Sequence, residues 1–242
     1  MLGAALQTAV RVLYPPRCLS CGGMVEQDFG LCGICWRDTP FITGLVCDSC
    51  GTPLPGESNT IEHCDACLQI ARPWDRGRAA LLYQDTGRKL VLALKHGDRH
   101  DIADPAALWL ARALRPILPD APLIVPVPLH LIRLLRRRFN QSALLAQALA
   151  ECLKADCCPD ALLRPTRTPS LDGQTREERF ATMSGTLIAN PKRRAQISGR
   201  NVVIVDDVMT SGATMAAAAE ACHDAGANTV CIAALARVAK DA

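Results

Sequence analysis

The chain has 242 residues, 49% of them apolar, with 27 basic and 24 acidic residues and a formal net charge of +3. A substantial core is possible, and no stretch reaches the roughly 18 uncharged apolar residues of a membrane span. Near-neutral charge and 4% aromatic residues exclude a strongly basic, base-stacking nucleic-acid binder as the first reading.

Residues Met1 to Val12 have no basic segment before their apolar residues and no small-residue cleavage site, so nothing indicates secretion and the cytoplasm is the expected compartment. Eight of the 13 cysteines then fall between residues 18 and 67, as four Cys-x-x-Cys pairs: Cys18/Cys21, Cys32/Cys35, Cys47/Cys50 and Cys64/Cys67. Two such knuckles brought together supply four thiolates to a tetrahedral Zn²⁺. Cys21 and Cys50 are each followed by glycine, Gly22 and Gly51, whereas the second and fourth pairs are not. This repeat predicts two successive zinc ribbons and two zinc ions, held by Cys18, Cys21, Cys32, Cys35 and by Cys47, Cys50, Cys64, Cys67. A cross-braced pairing, first knuckle with third and second with fourth, has compatible spacing. Segment 18–67 holds few large aliphatic residues and needs such a staple to fold. His63 reads as a surface-loop histidine. Cys152, Cys222 and Cys231 lie on apolar faces and read as core.

The boundary between a zinc module (residues 1–72) and an α/β domain (residues 73–242) is expected near Arg72-Pro73. In the second part, 78–83 reads as a strand and 86–96 and 104–115 as helices. Leu123 to Val127 reads as a strand. An amphipathic helix is expected over 141–153, with Leu144, Leu145, Ala148, Leu149, Cys152 and Leu153 on its apolar face. Strands at 202–205 and 229–235 flank a helix at 213–225, whose stripe is Met215, Ala218, Ala219 and Cys222 and whose C-terminal cap is Gly226. Alternating strands and helices predict a mostly parallel sheet covered on both faces.

Residues 202 to 214, Val-Val-Ile-Val-Asp-Asp-Val-Met-Thr-Ser-Gly-Ala-Thr, carry the chemistry. An apolar strand, expected to end at Asp206 and Asp207, runs into a loop of hydroxyls and one glycine and then a helix. The first turn of a helix leaves N–H groups unpaired and carries partial positive charge, which suits a phosphate. Thr210, Ser211 and Thr214 add hydroxyls, and Gly212 permits a positive φ. The paired carboxylates can accept hydrogen bonds from a ribose diol or help to hold Mg²⁺.

This stretch resembles the phosphoribosyl pyrophosphate (PRPP) signature of type I phosphoribosyltransferases. The resemblance implies an α/β fold with that family's mostly parallel sheet. Asp206 and Asp207 would contact ribose, and the loop through Val208, Met209, Thr210, Ser211, Gly212, Ala213 and Thr214 would wrap the 5-phosphate. Further segments narrow the match: Leu13-Tyr14-Pro15-Pro16-Arg17-Cys18, Ala93-Leu94-Lys95, Val125-Pro126-Val127-Pro128-Leu129, Arg137-Arg138-Phe139-Asn140-Gln141, and later Gln174 and Arg179. Together they resemble the ComF family, a double zinc-ribbon module fused to a phosphoribosyltransferase-like domain and associated with DNA uptake in natural transformation. Two departures stand out. Arg138 occupies a position where the family has glycine, which predicts altered loop geometry, and Thr182 stands where an asparagine is usual.

If PRPP and Mg²⁺ bind, Lys95 and Arg137 are placed to meet the pyrophosphate and form the candidate catalytic set with Asp206 and Asp207. The stretch from Arg164 to Arg179 is expected to be a mobile loop with Arg167, Gln174, Arg176 and Arg179 as candidate ligands. No residue selects an acceptor, so enzymatic transfer is a weaker expectation than binding of PRPP or a related ribose phosphate. The alternatives are an active phosphoribosyltransferase on a nitrogenous acceptor, or a module that binds single-stranded DNA or docks a DNA-processing protein through the ribbons and the basic run 133–138.

Overall fold

The structure, a computed structural model, describes residues 15–26, 28, 30–96, 99–166 and 173–239. The expected signal-free segment 1–12, Leu13, Tyr14 and Arg167 lie outside the described residues.

The N-terminal part is mostly loop, with two one-turn helices, α1 (Gly33–Arg37) and α2 (Asp65–Gln69), each starting directly after a cysteine. Then follow β1 (Arg76–Leu82), α3 (Asp85–His96), α4 (Ala103–Leu114), β2 (Leu123–Pro126), α5 (Leu131–Arg137) and α6 (Gln141–Leu153). The chain continues through β3 (Asp156–Cys157), β4 (Leu162–Leu163), α7 (Arg176–Met183), β5 (Ile188–Ala189) and α8 (Arg194–Ile197). It closes with β6 (Asn201–Met209), α9 (Ala213–Asp224) and β7 (Thr229–Arg237).

Five strands form one sheet in the order β1-β7-β6-β2-β3, and every pairing is parallel. All five carboxyl ends therefore open on the same edge. Residues on β6 alternate between two cores: Val203 and Val205 pack with Leu90, Leu94, Leu110, Leu145 and Leu149 of α3, α4 and α6, while Val202 and Ile204 pack with Met215, Ala218 and Ala219 of α9. The central strand is apolar on both sides because both sides are covered. Strands β4 and β5 form a separate antiparallel pair, and α9 packs on this small layer and on α7.

Three expectations need correction. Strand β6 does not end at Val205: it runs through Asp206 and Asp207 to Met209, paired with β7 as far as Arg237. The apolar face of α6 is rotated from the expected stripe. Ser142, Leu145, Ala146, Leu149 and Ala150 are buried, whereas Cys152 is exposed. Small residues face inward here because α6 packs closely on α4 and on the sheet. The stretch 164–179 is also not loop throughout. A capping box, Thr175 with Glu178, starts α7 and places Arg176 and Arg179 within that helix.

The N-terminal part is pinned to the free edge of the sheet. Ile42 N–H donates to the Ala80 carbonyl at 2.9 Å, and Leu82 N–H donates to the Pro40 carbonyl at 2.9 Å. Phe41 pairs with Leu81 as an antiparallel bridge, so the segment covers an edge that would otherwise be open. Asp48, between two cysteines of the third knuckle, accepts from Arg76 Nε and Nη2 and from Arg78 Nη2, all at 2.8 Å. Glycine is required at Gly77: a Cβ there would lie 2.5 Å from the Ser49 carbonyl oxygen.

Candidate functional site

The eight cysteines gather into two tetrads, Cys18/Cys21/Cys32/Cys35 and Cys47/Cys50/Cys64/Cys67, and in each the four sulfurs lie within 4.8 Å of one another. The cross-braced alternative is not adopted. Sulfurs about 2.3 Å from a tetrahedral zinc stand about 3.8 Å apart; Cys21 and Cys32 are 3.8 Å apart and Cys50 and Cys64 3.6 Å. Amides of Cys32 and Cys35 donate to Cys18 Sγ (3.3 Å) and Cys32 Sγ (3.4 Å). Burial opposes ionisation of Cys18, but the hydrogen bonds it receives bring the thiol down to about 6. His63 stays outside the tetrad, with Nδ1 3.0 Å from Ser49 Oγ.

The second cluster lies at the carboxyl edge of β6. Asp207 keeps the parity of Val203 and Val205 and meets Lys95, in the last turn of α3: Nζ to Oδ1 is 3.1 Å. Its other oxygen, Oδ2, is buried and has no hydrogen-bond partner among the described residues. Asp206 Oδ1 accepts from Ser142 Oγ at 2.8 Å and from the Asp207 amide at 2.9 Å. Burial and the neighbouring Asp207 charge push the Asp206 carboxyl up to about 7, against the opposing pull of the Ser142 hydroxyl and of Lys95.

Beyond the acids, Val208 is half-buried and Met209 fully buried, so both contribute backbone to the rim. Thr210 is exposed, Ser211 and Thr214 are half-buried, and Gly212 takes φ +87° as the N-cap of α9. A Cβ on Gly212 would stand 2.9 Å from Met209 Cε and 3.1 Å from Trp74 Cη2. Among the described residues the amides of Thr210, Ser211, Gly212, Thr214 and Met215 have no hydrogen-bond partner; only Ala213 N–H finds Ser211 Oγ, at 3.4 Å. Unpaired amides at a helix start are an anion cradle. The expected loop 210–214 thus surrenders Ala213 and Thr214 to the first turn of α9.

Arg137 ends α5 and has no ion pair among the described residues. Arg138 caps α5 at φ +68°. An arginine here holds the left-handed geometry that glycine adopts most readily. Thr182 Oγ1 donates to Gln174 Oε1 at 3.2 Å, and Arg179 Nε to the Gln174 carbonyl at 3.1 Å. Three participants were not legible beforehand. Ser142 orients Asp206. Arg164 is lowered from its usual pKa by burial and by Arg133, while Asp206 attracts it. Arg72 donates from Nη1 to the Ser211 carbonyl at 3.2 Å. Serine after a helix cap and arginine in a linker are too common to signal such roles.

Residues 9–68 match the family model of a double zinc ribbon domain, and residues 143–242 match that of a phosphoribosyl transferase domain. Cysteine tetrads, parallel sheet and the rim after β6 accordingly define a zinc-ribbon protein with a phosphoribosyltransferase-like α/β domain. The chain is similar to the DNA utilization protein YhgH of Shigella flexneri, with 32% identity over 211 residues covering 84% of this chain and 88% of that one. It is also similar to Competence protein F of Haemophilus influenzae, with 28% identity over 207 residues covering 82% and 87%. The chain belongs to the ComF family. Among solved structures, glutamine PRPP amidotransferase from B. subtilis is similar at 19% identity and a TM-score of 0.40, over 60% of this chain and 30% of that chain. No helix among the described residues is long and apolar enough to cross a membrane.

Proposed function

We propose that the chain binds PRPP with Mg²⁺ at the carboxyl edge of β6, holds one Zn²⁺ in each cysteine tetrad, and serves DNA handling in the manner named for its relatives. The observation that carries the PRPP reading is that the amides of Thr210, Ser211, Gly212, Thr214 and Met215 have no partner among the described residues, just beyond a carboxylate pair. Phosphate oxygens accept from those amides and from the Thr210, Ser211 and Thr214 hydroxyls. Ribose hydroxyls donate to Asp206 and Asp207. The buried, unpartnered Asp207 Oδ2 fits a cation or a ribose hydroxyl, and Mg²⁺ would offset charge on the pyrophosphate. Lys95 neutralises Asp207 until ligand arrives. Transfer from such a ligand would pass through an oxocarbenium-like centre, and no group at the rim stands out as an activator of an acceptor. Binding is therefore the core of the reading and catalysis an extension of it.

Calorimetry with PRPP and Mg²⁺ tests it. Asp206→Asn and Asp207→Asn each weaken binding by about tenfold or more, the scale of a hydrogen bond to a charged group. Unchanged affinity in the double variant rejects the acid assignment.

A second reading, single-stranded DNA binding, is favoured by one surface feature. Trp36, 48% exposed, leans on Phe41 with ring centroids 4.6 Å apart and planes tilted by 42°, and Phe41 meets Trp109 edge-on at 5.4 Å. The exposed face of Trp36, propped on this partly buried pair, suits stacking of a base. Loss of DNA affinity in Trp36→Ala, measured across salt concentration, supports that reading; equal affinity removes Trp36 from it.

A further inference from the structure

We infer that the second cysteine tetrad is a built-in part of the sugar-phosphate rim, and that Arg72 is the positioning residue joining the two. For its ligand this rests on the PRPP reading above; the mechanical link stands by itself.

Arg72 follows Cys67 across the last two residues of α2 and the linker Ile70-Ala71. It joins the tetrad through the chain itself, just past Cys67, and through Trp74, whose ring it covers and whose indole N–H binds the third knuckle. From the other side it donates to the Ser211 carbonyl. It is clamped between two rings, 5.3 Å from the Trp74 centroid and 5.6 Å from that of Phe180. Ser211 C=O and Gly212 N–H belong to one planar peptide unit and point in opposite directions. Holding that oxygen toward Arg72 fixes the Gly212 N–H away from Arg72. One guanidinium thereby sets the aim of an anion donor.

Two further struts run parallel to it. Trp74 Nε1 donates to the Ser49 carbonyl, inside the third knuckle, at 2.5 Å, and the far edge of the same ring rests on Gly212. Thr52 Oγ1 lies 3.3 Å from Cys50 Sγ and accepts from Arg237 Nε. Arg237 ends β7 in register with Met209, the last residue of β6. All three struts reach the seam from Met209 to Gly212.

Charge argues the same way. Four thiolates around a dication leave two negative charges. The atoms Arg72 Nε, Arg72 Nη2 and Arg237 Nη1 are buried without a hydrogen-bond partner among the described residues, so both arginines hold N–H groups in reserve beside the tetrad. Among the described residues the first tetrad has no comparable link. Its neighbour Leu19 packs in the opposite core, with α3, α4 and α6.

The test uses the full chain without and with PRPP and Mg²⁺. The ligand-free arm follows hydrogen exchange of the Ala216 and Val238 amides, which donate to the Gly212 and Met209 carbonyls and so report on the seam. Wild type is compared with Arg72→Met, Arg72→Lys, Cys64→Ser in the second tetrad and Cys32→Ser in the first, with zinc content measured on each sample. Arg72→Met keeps its zinc, exchanges faster at both amides and binds PRPP about tenfold or more weakly, as loss of a charge-assisted hydrogen bond predicts. Arg72→Lys recovers only part of this, because an ammonium cannot span two partners in one plane. Cys64→Ser reproduces the faster exchange and Cys32→Ser does not. Seam exchange equal to wild type in both Arg72→Met and Cys64→Ser overturns the proposal; if Cys64→Ser fails to fold, Arg72→Met alone decides. Failure of the wild type to bind PRPP sinks the ligand reading while leaving the exchange arm to judge the link.

Discussion

Asp206 and Asp207 are adjacent in the chain yet live in different surroundings. Asp207 is answered by Lys95; Asp206 is answered by a neutral hydroxyl and one amide. A carboxyl raised to about 7 holds its proton more tightly in the folded state than in the unfolded one, where the ordinary value is 3.8. Its ionisation therefore costs stability as pH rises from about 4 to 7, and no cost exists below that window. Asp206→Asn is expected to raise the melting temperature at pH 8 by at least about 2–4 °C, the shift produced by about 1 kcal/mol in a chain of this size. At pH 4 the gain vanishes. Thermal melts at the two pH values check this, and an equal gain at both would show that the effect is not the carboxylate's charge. That the two acids lie together at the strand's carboxyl edge was legible in the sequence from their position before a hydroxyl loop. Their unlike partners were not, because Ser142 and Lys95 arrive from helices 64 and 112 residues away (206 − 142 and 207 − 95).

At the scale of elements, β6 shows why boundaries are harder to read than existence. Polar residues usually end a strand, and the acids suggested an end at Val205. Pairing with β7 carries the strand four residues further, since a partner strand satisfies the backbone whatever the side chains are. The turn that follows was legible through Gly212, whose φ of +87° and crowded Cβ position admit no other residue without strain. A non-glycine residue in that region costs about 1–2 kcal/mol from conformation alone. Gly212→Ala should therefore lower the melting temperature by roughly 2–8 °C, and it should weaken PRPP binding beyond what stability explains. Calorimetry at a temperature where the variant stays folded separates the two effects. Arg138 is the counter-case: a non-glycine residue takes φ +68° at the end of α5, where its N–H closes the helix on the Leu134 carbonyl, and nothing in its side chain signals that backbone. The rotated face of α6 carries the same lesson, because small inward residues such as Ala146 and Ala150 are invisible to a search for large apolar ones.

For the whole molecule, the Asp48 clamp ties the cysteine-rich part to β1. Burial opposes ionisation of Asp48, but hydrogen bonds from Arg76 and Arg78 overcome it and hold the carboxyl below its usual 3.8. This stabilisation is present above about pH 4 and fades as pH falls through the lower folded value, opposite in sense to Asp206. Asp48→Asn is expected to lower the melting temperature at pH 7 by about 5 °C or more, because two arginines lose a largely buried partner. The deficit should shrink toward pH 3. Circular dichroism melts over that range check it, and a pH-independent deficit would assign the effect to packing. Cysteine spacing, the strand–helix alternation and the motif at 202–214 belong to short stretches of chain. Local chemistry and periodicity were therefore enough to determine the eight candidate ligand cysteines, the α/β class and the place of the rim, whereas the choice between sequential and cross-braced tetrads fell to the tertiary structure. Only the tertiary structure decided that the cysteine-rich part packs onto the sheet edge through Asp48, and that Arg72, just past its second tetrad, reaches the Ser211 carbonyl. Those contacts join residues 28 to 139 positions apart, and a contact of that span is set by how whole layers pack, not by any local pattern.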